Sequence, residues 1–490
     1  MAERAGLTLD GATPEKSASM TDRDWPRVIA AYYRSPGVRA RIAEYCGGHR
    51  DAPASFSCFS LGAYGGERDR REPDGAPVPC PNADLEFVFE EGADVCRSLA
   101  DRQGTLLQLD VDYVSPRDPA HPYSNPETAF RRLEPVHQAL REMFASYGIR
   151  PRVIATGRGY HFTVRAPFDS PFQASLVAIA TVGEAAVARC ARCTGEPGAA
   201  RRLALGHEGA GRVLEHLVHG ALHRLRGRTE VPVTLADVPP PDGGPFICLD
   251  LTAYADPLFE RHVRCAFSTN QKSGVQSAAP ARPFVVTLPR GQLSLDAFLR
   301  YREDPEAAAR YASDARVAIP DAPFAVDLVE DYRRGPVGRF HAEFDRGPEL
   351  DPAQWPFTYD TLTASGLPAC LAAPLEFPNP LLLRPPCLRT IALGLWAMGF
   401  HPRSIAGLVR SRYERNHGWR PPFIRYDAES RALFYVRLLC GAVADGLDGG
   451  SDFTCEIQER RGLCEPWRCP EEQRQVFASL QNALVRKGGR

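Results

Sequence analysis

Three short stretches of this chain bring together side chains that could do chemistry. The first is Asp110-Val111-Asp112, inside the apolar run 106–114 (LLQLDVDYV). Residues two apart on a strand share a face. Leu107, Leu109 and Val111 therefore turn one way, and Gln108, Asp110 and Asp112 the other. Adjacent carboxylates repel unless solvated or bridged by cations, and their oxygens suit a hard divalent ion. An exposed strand face is the plainer reading of such a pair. The second stretch is Thr156-Gly157-Arg158-Gly159-Tyr160-His161, directly after the strand pattern RVIAT. Its glycines let backbone approach a phosphate closely. Arg158 adds a planar cation that can grip the same group, and His161 falls on the strand behind. An ordinary tight hairpin with a surface arginine is the alternative. The third stretch is 246–250 (FICLD), an apolar strand ending in Asp250, followed by Arg264, Ser268, Lys272, Ser273 and Gly274. A solvated turn accounts for Arg264 or Ser268 taken singly. Lys272 stands out more, because only three of the 59 basic residues are lysines and Lys16 and Lys487 lie near the ends.

In order and together, these stretches resemble the motifs of the archaeo-eukaryotic primase superfamily, the small catalytic primase subunits and primase-polymerases. That family carries an acidic pair, a small-Gly-x-Gly-x-His turn and a hydrophobic strand ending in Asp. The match spans residues about 105–275. It implies an α/β catalytic core, a mixed sheet flanked by helices. It also implies that Asp110, Asp112 and Asp250 hold two divalent ions, Mg²⁺ or Mn²⁺, for an in-line nucleotidyl transfer. Thr156, Gly157, Arg158, Gly159 and His161 would bind the incoming nucleotide's triphosphate. Arg264, Ser268 and Lys272 would meet it from the other side. The implied enzyme is a nucleotidyltransferase that makes primers on a single-stranded DNA template from NTPs or dNTPs, working with replication or repair partners. Two departures stand out. Thr156 occupies a position where the family often has Ser. The interval 113–155 has no cysteine, so the zinc site some relatives carry there is absent or built elsewhere. The alternatives are a repair or gap-filling polymerase that only extends existing ends, and a silent nucleic-acid-binding scaffold. The intact acids and His161 speak against the scaffold.

The chain has 14 cysteines and no secretory signal, so metal is a better reading of its clusters than disulfides. Cys387 opens a helical region, and Cys455, Cys464 and Cys469 follow much later. One distant cysteine plus three clustered ones resembles the iron–sulfur domain of the large primase subunit. The resemblance implies a 4Fe-4S cluster on these four, with Zn²⁺ as the alternative, and it favours initiation over extension alone. Cys440 lies within an apolar helical run and reads as core. Cys190 and Cys193 form a lone CxxC that could be half of a zinc site completed by His207, or two thiols at one helix end. His216, His219 and His223 share a helix face that reads as partly exposed. In residues 401–437, eight arginines (Arg403, Arg410, Arg412, Arg415, Arg420, Arg425, Arg431 and Arg437) alternate with His417, Trp419, Phe423 and Tyr426. Such a mixture suits a nucleic-acid groove, or a charge-rich helix face.

The elements that must position these residues follow from periodicity. Residues 25–50 read as helical, 85–89 as an exposed strand, 126–147 as a helix with Asn125 as its cap and Gly148 as its stop. Further strands are expected at 152–156, 160–165, 246–250 and 284–288, and helices over 172–226 with a break near 194–198. The expected organisation is a disordered leader at 1–24 and a catalytic domain at 25–300. A helical, proline-rich connection follows at 301–386, then a helical four-cysteine domain at 387–490. The whole chain has 490 residues, a net charge of -1, 44% hydrophobic and 24% charged residues. That composition excludes a wholly disordered, collagen-like or coiled-coil chain. No run of about 18 apolar residues suggests a membrane span, and a cytoplasmic location is expected.

Overall fold

The computed structural model describes residues 25–47, 55–60, 85–90, 92–194, 197–255, 258, 262–271, 284–291, 293–348, 350–362, 367–376, 382–414, 427–464 and 469–488. The expected leader at 1–24, Lys272 and residues 415–426 lie outside them.

In chain order the strands are β1 (Ser55–Ser60), β2 (Asp94–Asp101), β3 (Gly104–Val114), β4 (Arg152–Ala155), β5 (Gly159–Pro167), β6 (Val233–Leu235), β7 (Phe246–Asp250), β8 (His262–Arg264), β9 (Thr269–Asn270), β10 (Val285–Val286) and β11 (Leu288–Pro289). Six form a mixed sheet in the order β11-β4-β5-β3-β7-β6. All neighbours there are antiparallel except β6 and β7, which run parallel. Strands β1, β2 and β8 make a second, antiparallel sheet, and β9 pairs with β10. The chain is therefore mixed α/β, with helices flanking the sheet.

The two faces of β3 explain the layering. Leu107, Leu109 and Val111 lie opposite Val164, Phe162 and Tyr160 of β5. The helix Pro126–Ser146 covers this apolar face, setting Phe130 against Tyr160 and Phe144 against Phe162. Asn125 caps that helix by accepting from the Thr128 N–H, and Gly148 follows it with φ +69°. The long helix Pro197–Leu225 packs beside it, close enough that a Cβ at Gly206 would overlap Thr105. The polar face carries Gln108, Asp110 and Asp112. It is met by Tyr45 at the end of the helix Pro36–Tyr45, through Thr163 of β5 at 3.4 Å.

Several expectations change here. Residues 85–89 are not a strand but part of the helix Leu85–Glu90, with Val88 and Phe89 buried. Strand β2 has no periodic pattern because every residue in it is buried. Its Arg97 and Asp101 are paired at 2.7 Å in the interior. The stretch 284–288 divides at Thr287 into β10 and β11, which join different sheets. Beyond the sheet, the helices Leu295–Glu303 and Pro305–Asp314 pack back onto its elements, and Gly37 meets Ser313. The helices Pro336–Arg346, Pro385–Ala397, Pro402–Tyr413 and Ala428–Ala444 form the C-terminal layer against Pro197–Leu225. Among the described residues no helix is long and apolar enough to cross a membrane.

Candidate active site

Strand β3 pairs with both β5 and β7, so its residues face partners on two sides. Asp110 lies directly opposite His161 of β5 and directly opposite Asp250 of β7. Directly opposed side chains share a face, with Cβ atoms roughly 5 Å apart. Three residues distant in sequence thus stand in one row across three strands. Asp112 lies two residues along the same face, opposite Gly159 and Cys248. A Cβ at Gly159 would overlap the Val111 carbonyl oxygen, which is why glycine is required there.

Hydrogen bonds orient the carboxylates of the row. Gln108 Nε2 donates to Asp110 Oδ1 at 2.5 Å, and Thr163 Oγ1 donates to Gln108 Oε1 at 2.5 Å. His161 Nε2 stands 3.6 Å from Asp110 Oδ1, beyond hydrogen-bond reach, and its Nδ1 is buried without a partner among the described residues. Burial first, and then Asp110, push the Asp250 carboxyl up to about 6, against the Thr252 N–H that donates to it at 2.7 Å. Asp110 remains 29% exposed, so the row opens to solvent.

The turn after β4 is closed by two backbone bonds, Thr156 N–H to Gly159 O at 2.8 Å and Tyr113 N–H to Arg158 O at 2.9 Å. Arg158 Nη2 donates to Asp112 Oδ2 at 2.5 Å, and that carboxylate is the main reason the guanidinium is held above its usual range. Gly157 has no room for a side chain, since a Cβ would come within 2.6 Å of Asn270 Nδ2 and 2.8 Å of the Tyr123 ring. Behind the turn, Arg302 Nη2 donates to the Gly157 carbonyl at 2.9 Å. Tyr123, Asn270 and Arg302 belong to this neighbourhood and carried no motif. Asp237 is a further acid within electrostatic reach of Asp112 and Arg158, raised chiefly by burial.

The expected second set of phosphate ligands is not assembled in the same way. Ser268 is fully buried, accepting from the Val95 N–H at 2.7 Å and donating to Thr269 O at 2.9 Å. Its hydroxyl has no face for a nucleotide. Arg264 is buried and ion-paired to Asp94, and it donates to Thr269 O at 2.9 Å, so it braces β8 against β9. Lys272 lies outside the described residues. Thr156 is buried at the root of the turn.

The cysteines are sorted differently from the sequence expectation. Cys387 is buried and is pushed up to about 12 by burial alone, with no other thiol acting on it. Cys370, on the helix Ala369–Glu376, instead shares a hydrogen bond with Cys464, and Cys455 and Cys469 also raise its proton affinity. The grouped thiols are Cys370, Cys455, Cys464 and Cys469. Among the described residues no three His, Cys, Asp or Glu side chains already close around one point as ligands of a single metal ion. Cys190 is buried, the Cys193 side chain lies outside the described residues, and His207 Nε2 sits 3.2 Å from Ala253 O.

Other expected surfaces are also resolved inside the protein. His219 Nδ1 and His223 Nε2 both meet Asp445 Oδ2 at 2.9 Å, and His219 is buried rather than exposed. In 401–437, Arg410 pairs with Glu414 at 2.9 Å and Glu429 at 3.2 Å, and Arg437 pairs with Glu208 at 2.5 Å. Arg412 donates to Tyr359 O, and Arg431 to Leu383 O. These arginines brace the helical layer, while Arg415, Arg420, Arg425, His417, Trp419, Phe423 and Tyr426 of the expected groove lie outside the described residues.

No protein-family model matches the chain, and no curated protein does. Among solved structures the chain is similar to the polymerase domain from Mycobacterium tuberculosis Ligase D in complex with DNA. The two share 14% identity with a TM-score of 0.33, over 60% of this chain and 90% of that one. So loose an overlap leaves function to the chemistry of the site itself.

Proposed function

We propose that this chain is a nucleotidyltransferase acting on DNA, a primase-polymerase of the archaeo-eukaryotic type that joins nucleoside triphosphates on a single-stranded template. The observation that carries the reading is the row His161, Asp110, Asp250, set beside a glycine-framed turn that bears Arg158. The donor set fits divalent cations. It offers three carboxylates on one face, one of them raised to about 6 by burial and by its neighbour, a strain that bound positive charge would relieve. The acids share a face, and among the described residues they do not already close around a single point. With Asp110, Asp112 and Asp250 as ligands, Mg²⁺ or Mn²⁺ would supply Lewis acidity and charge neutralisation at the transferred phosphoryl group.

The chain's own residues divide the remaining work. Gln108, steadied by Thr163, fixes the rotamer of Asp110. Arg158 exchanges Asp112 for a phosphate oxygen, which frees that carboxylate as a ligand. His161, whose Nδ1 is buried without a partner among the described residues, would hydrogen-bond the same triphosphate. The grouped thiols of Cys370, Cys455, Cys464 and Cys469 fit an iron–sulfur cluster or Zn²⁺ better than a set containing Cys387. Metal binding would turn these thiols into thiolates.

The test is synthesis from labelled nucleotides on single-stranded DNA with Mg²⁺ or Mn²⁺, with and without an annealed primer. Product that disappears in Asp110→Asn supports the reading, and product unchanged in Asp110→Asn removes it. A second reading, a polymerase that only extends existing ends, gains from the isolation of Cys387. The likeness to the large primase subunit, the main ground for initiation, depended on that residue. Product only with the annealed primer would select it.

A further inference from the structure

The helix Leu295–Glu303 delivers Arg302 to the back of the Thr156–Gly159 turn, where it is 1% exposed. Its guanidinium carbon lies 4.9 Å from the Phe130 ring centroid and 5.8 Å from that of Phe298. Nη2 donates to the Gly157 carbonyl at 2.9 Å, while Nε and Nη1 are buried without partners among the described residues. Among the described residues it forms no ion pair, and of the carboxylates only the neighbouring Glu303 acts on its charge. Arginines buried to a similar degree elsewhere are treated otherwise. Arg97 has Asp101 at 2.7 Å, Arg212 has Asp345 at 2.6 Å, Arg389 has Asp448 at 2.7 Å and Arg437 has Glu208 at 2.5 Å. A buried charge without a counter-charge is costly, and the fold ordinarily avoids it. Burial accordingly pulls the Arg302 guanidinium down to about 10.

The bond to Gly157 has a geometric consequence. In a trans peptide the carbonyl and the following N–H point in opposite directions. With the Gly157 carbonyl turned inward to Arg302, the Arg158 N–H is turned away from it, towards the cleft side of the turn. Neighbouring N–H groups are used: Thr156 N–H closes on Gly159 O and Tyr113 N–H on Arg158 O. The Arg158 N–H meets no backbone acceptor among the described residues.

We propose that Arg302 is a positioning residue for a polyphosphate bound at this turn: it fixes the 157–158 peptide with its N–H outward and leaves one positive charge for the ligand to neutralise. The inference rests on the nucleotide reading above and sharpens it, since the turn then recognises the phosphate chain rather than the sugar or base. Arg158 provides a mobile cation in front of the turn, and Arg302 a fixed one behind it.

The experiment measures binding of a non-hydrolysable nucleoside triphosphate analogue, the diphosphate and the monophosphate by calorimetry with Mn²⁺, alongside circular dichroism and Tm. Wild type, Arg302→Gln and Arg302→Lys are compared. Arg302→Gln should weaken the triphosphate analogue about tenfold and the monophosphate much less. Arg302→Lys should retain affinity near pH 6 and lose it as pH rises, because a buried lysine deprotonates far below an arginine. Glu303, Tyr123 and Tyr160 are the titratable groups acting on that position, and they are the same in each protein. Equal weakening of all three nucleotides would mean a merely structural role and overturn the proposal, as would unchanged triphosphate binding in Arg302→Gln. If Arg302→Gln does not fold, the pH dependence of Arg302→Lys decides alone, and a flat profile refutes the proposal. Wild type that binds no triphosphate at all would instead sink the nucleotide reading, and this inference with it.

Discussion

Two regions of the molecule concentrate charge, and they treat it in opposite ways. Along the helices Pro402–Tyr413 and Ala428–Ala444 the described arginines are answered by carboxylates or carbonyl oxygens of the same chain. On the polar face of β3, Asp110 and Asp250 face each other across the strands, and burial together with Asp110 holds the Asp250 carboxyl up at about 6. Behind the neighbouring turn, Arg302 Nε and Nη1 are buried without partners among the described residues. Charge neutralised by the fold holds helices together. Charge the fold leaves open is held for something that arrives from outside. Density of arginines and aromatics, by itself, does not distinguish the two.

The largest difference between the regions should appear on substitution. Asp110→Asn should lower nucleotidyl transfer by about a thousandfold or more, with little change in Tm, read by single-turnover assay and calorimetry. Arg437→Ala should do the reverse. It abandons Glu208, which burial alone would raise but which Arg437 and Arg212 bring down to about 2. Loss of about 3–5 kcal/mol of stability is expected, with the rate per folded molecule kept. An Arg437→Ala protein that is stable yet inactive would break the contrast.

A smaller effect separates the regions by pH. Asp250 binds its proton more tightly folded than unfolded, so the stability this gives is full below about pH 4 and is lost as pH rises through about 6. Asp250→Asn should therefore stabilise the protein at pH 7.5 in metal-free buffer by about 3 kcal/mol, seen as a higher Tm, and make no gain near pH 4. Saturating Mn²⁺ should cancel the gain by stabilising wild type alone. Glu208 works with the opposite sign: its folded-state value is depressed, so its contribution is present above about pH 4.5 and lost as pH falls towards 2. The smallest expected change is in Arg410→Ala. Its guanidinium is already shared between Glu414 and Glu429, so single-stranded DNA affinity should move by less than about twofold in a filter-binding titration. A tenfold loss would reassign that helix to the nucleic acid.

Much of the site was legible because strand alternation and local motifs are short-range properties. The pattern of β3 sorted Asp110 and Asp112 from the leucines, and the apolar run 246–250 placed Asp250 at a strand end. What adjoins what across strands was not legible, since the opposition of Asp110 to both His161 and Asp250 is a matter of register. Arg302 was lost in a helix that reads as a connection, because a single arginine in a charged segment has no periodic signature. Ser268 and Arg264 had suitable chemistry but were turned inward by β8 and β9. The nearness of Cys370 to Cys464 was not legible either, because Cys370 stands in a proline-rich stretch far from it in the chain. Strand β2 had no alternation to detect, being buried throughout.

The most direct measurement counts Mn²⁺ at the carboxylate row. Electron paramagnetic resonance is recorded on wild type and Asp250→Asn titrated with Mn²⁺ in the presence of a non-hydrolysable nucleoside triphosphate. Two spin-coupled ions per chain in wild type, and loss of the coupled signal in Asp250→Asn, are predicted. A wild-type titration that matches buffer with nucleotide alone would contradict the assignment of Asp110, Asp112 and Asp250 as one metal-binding face.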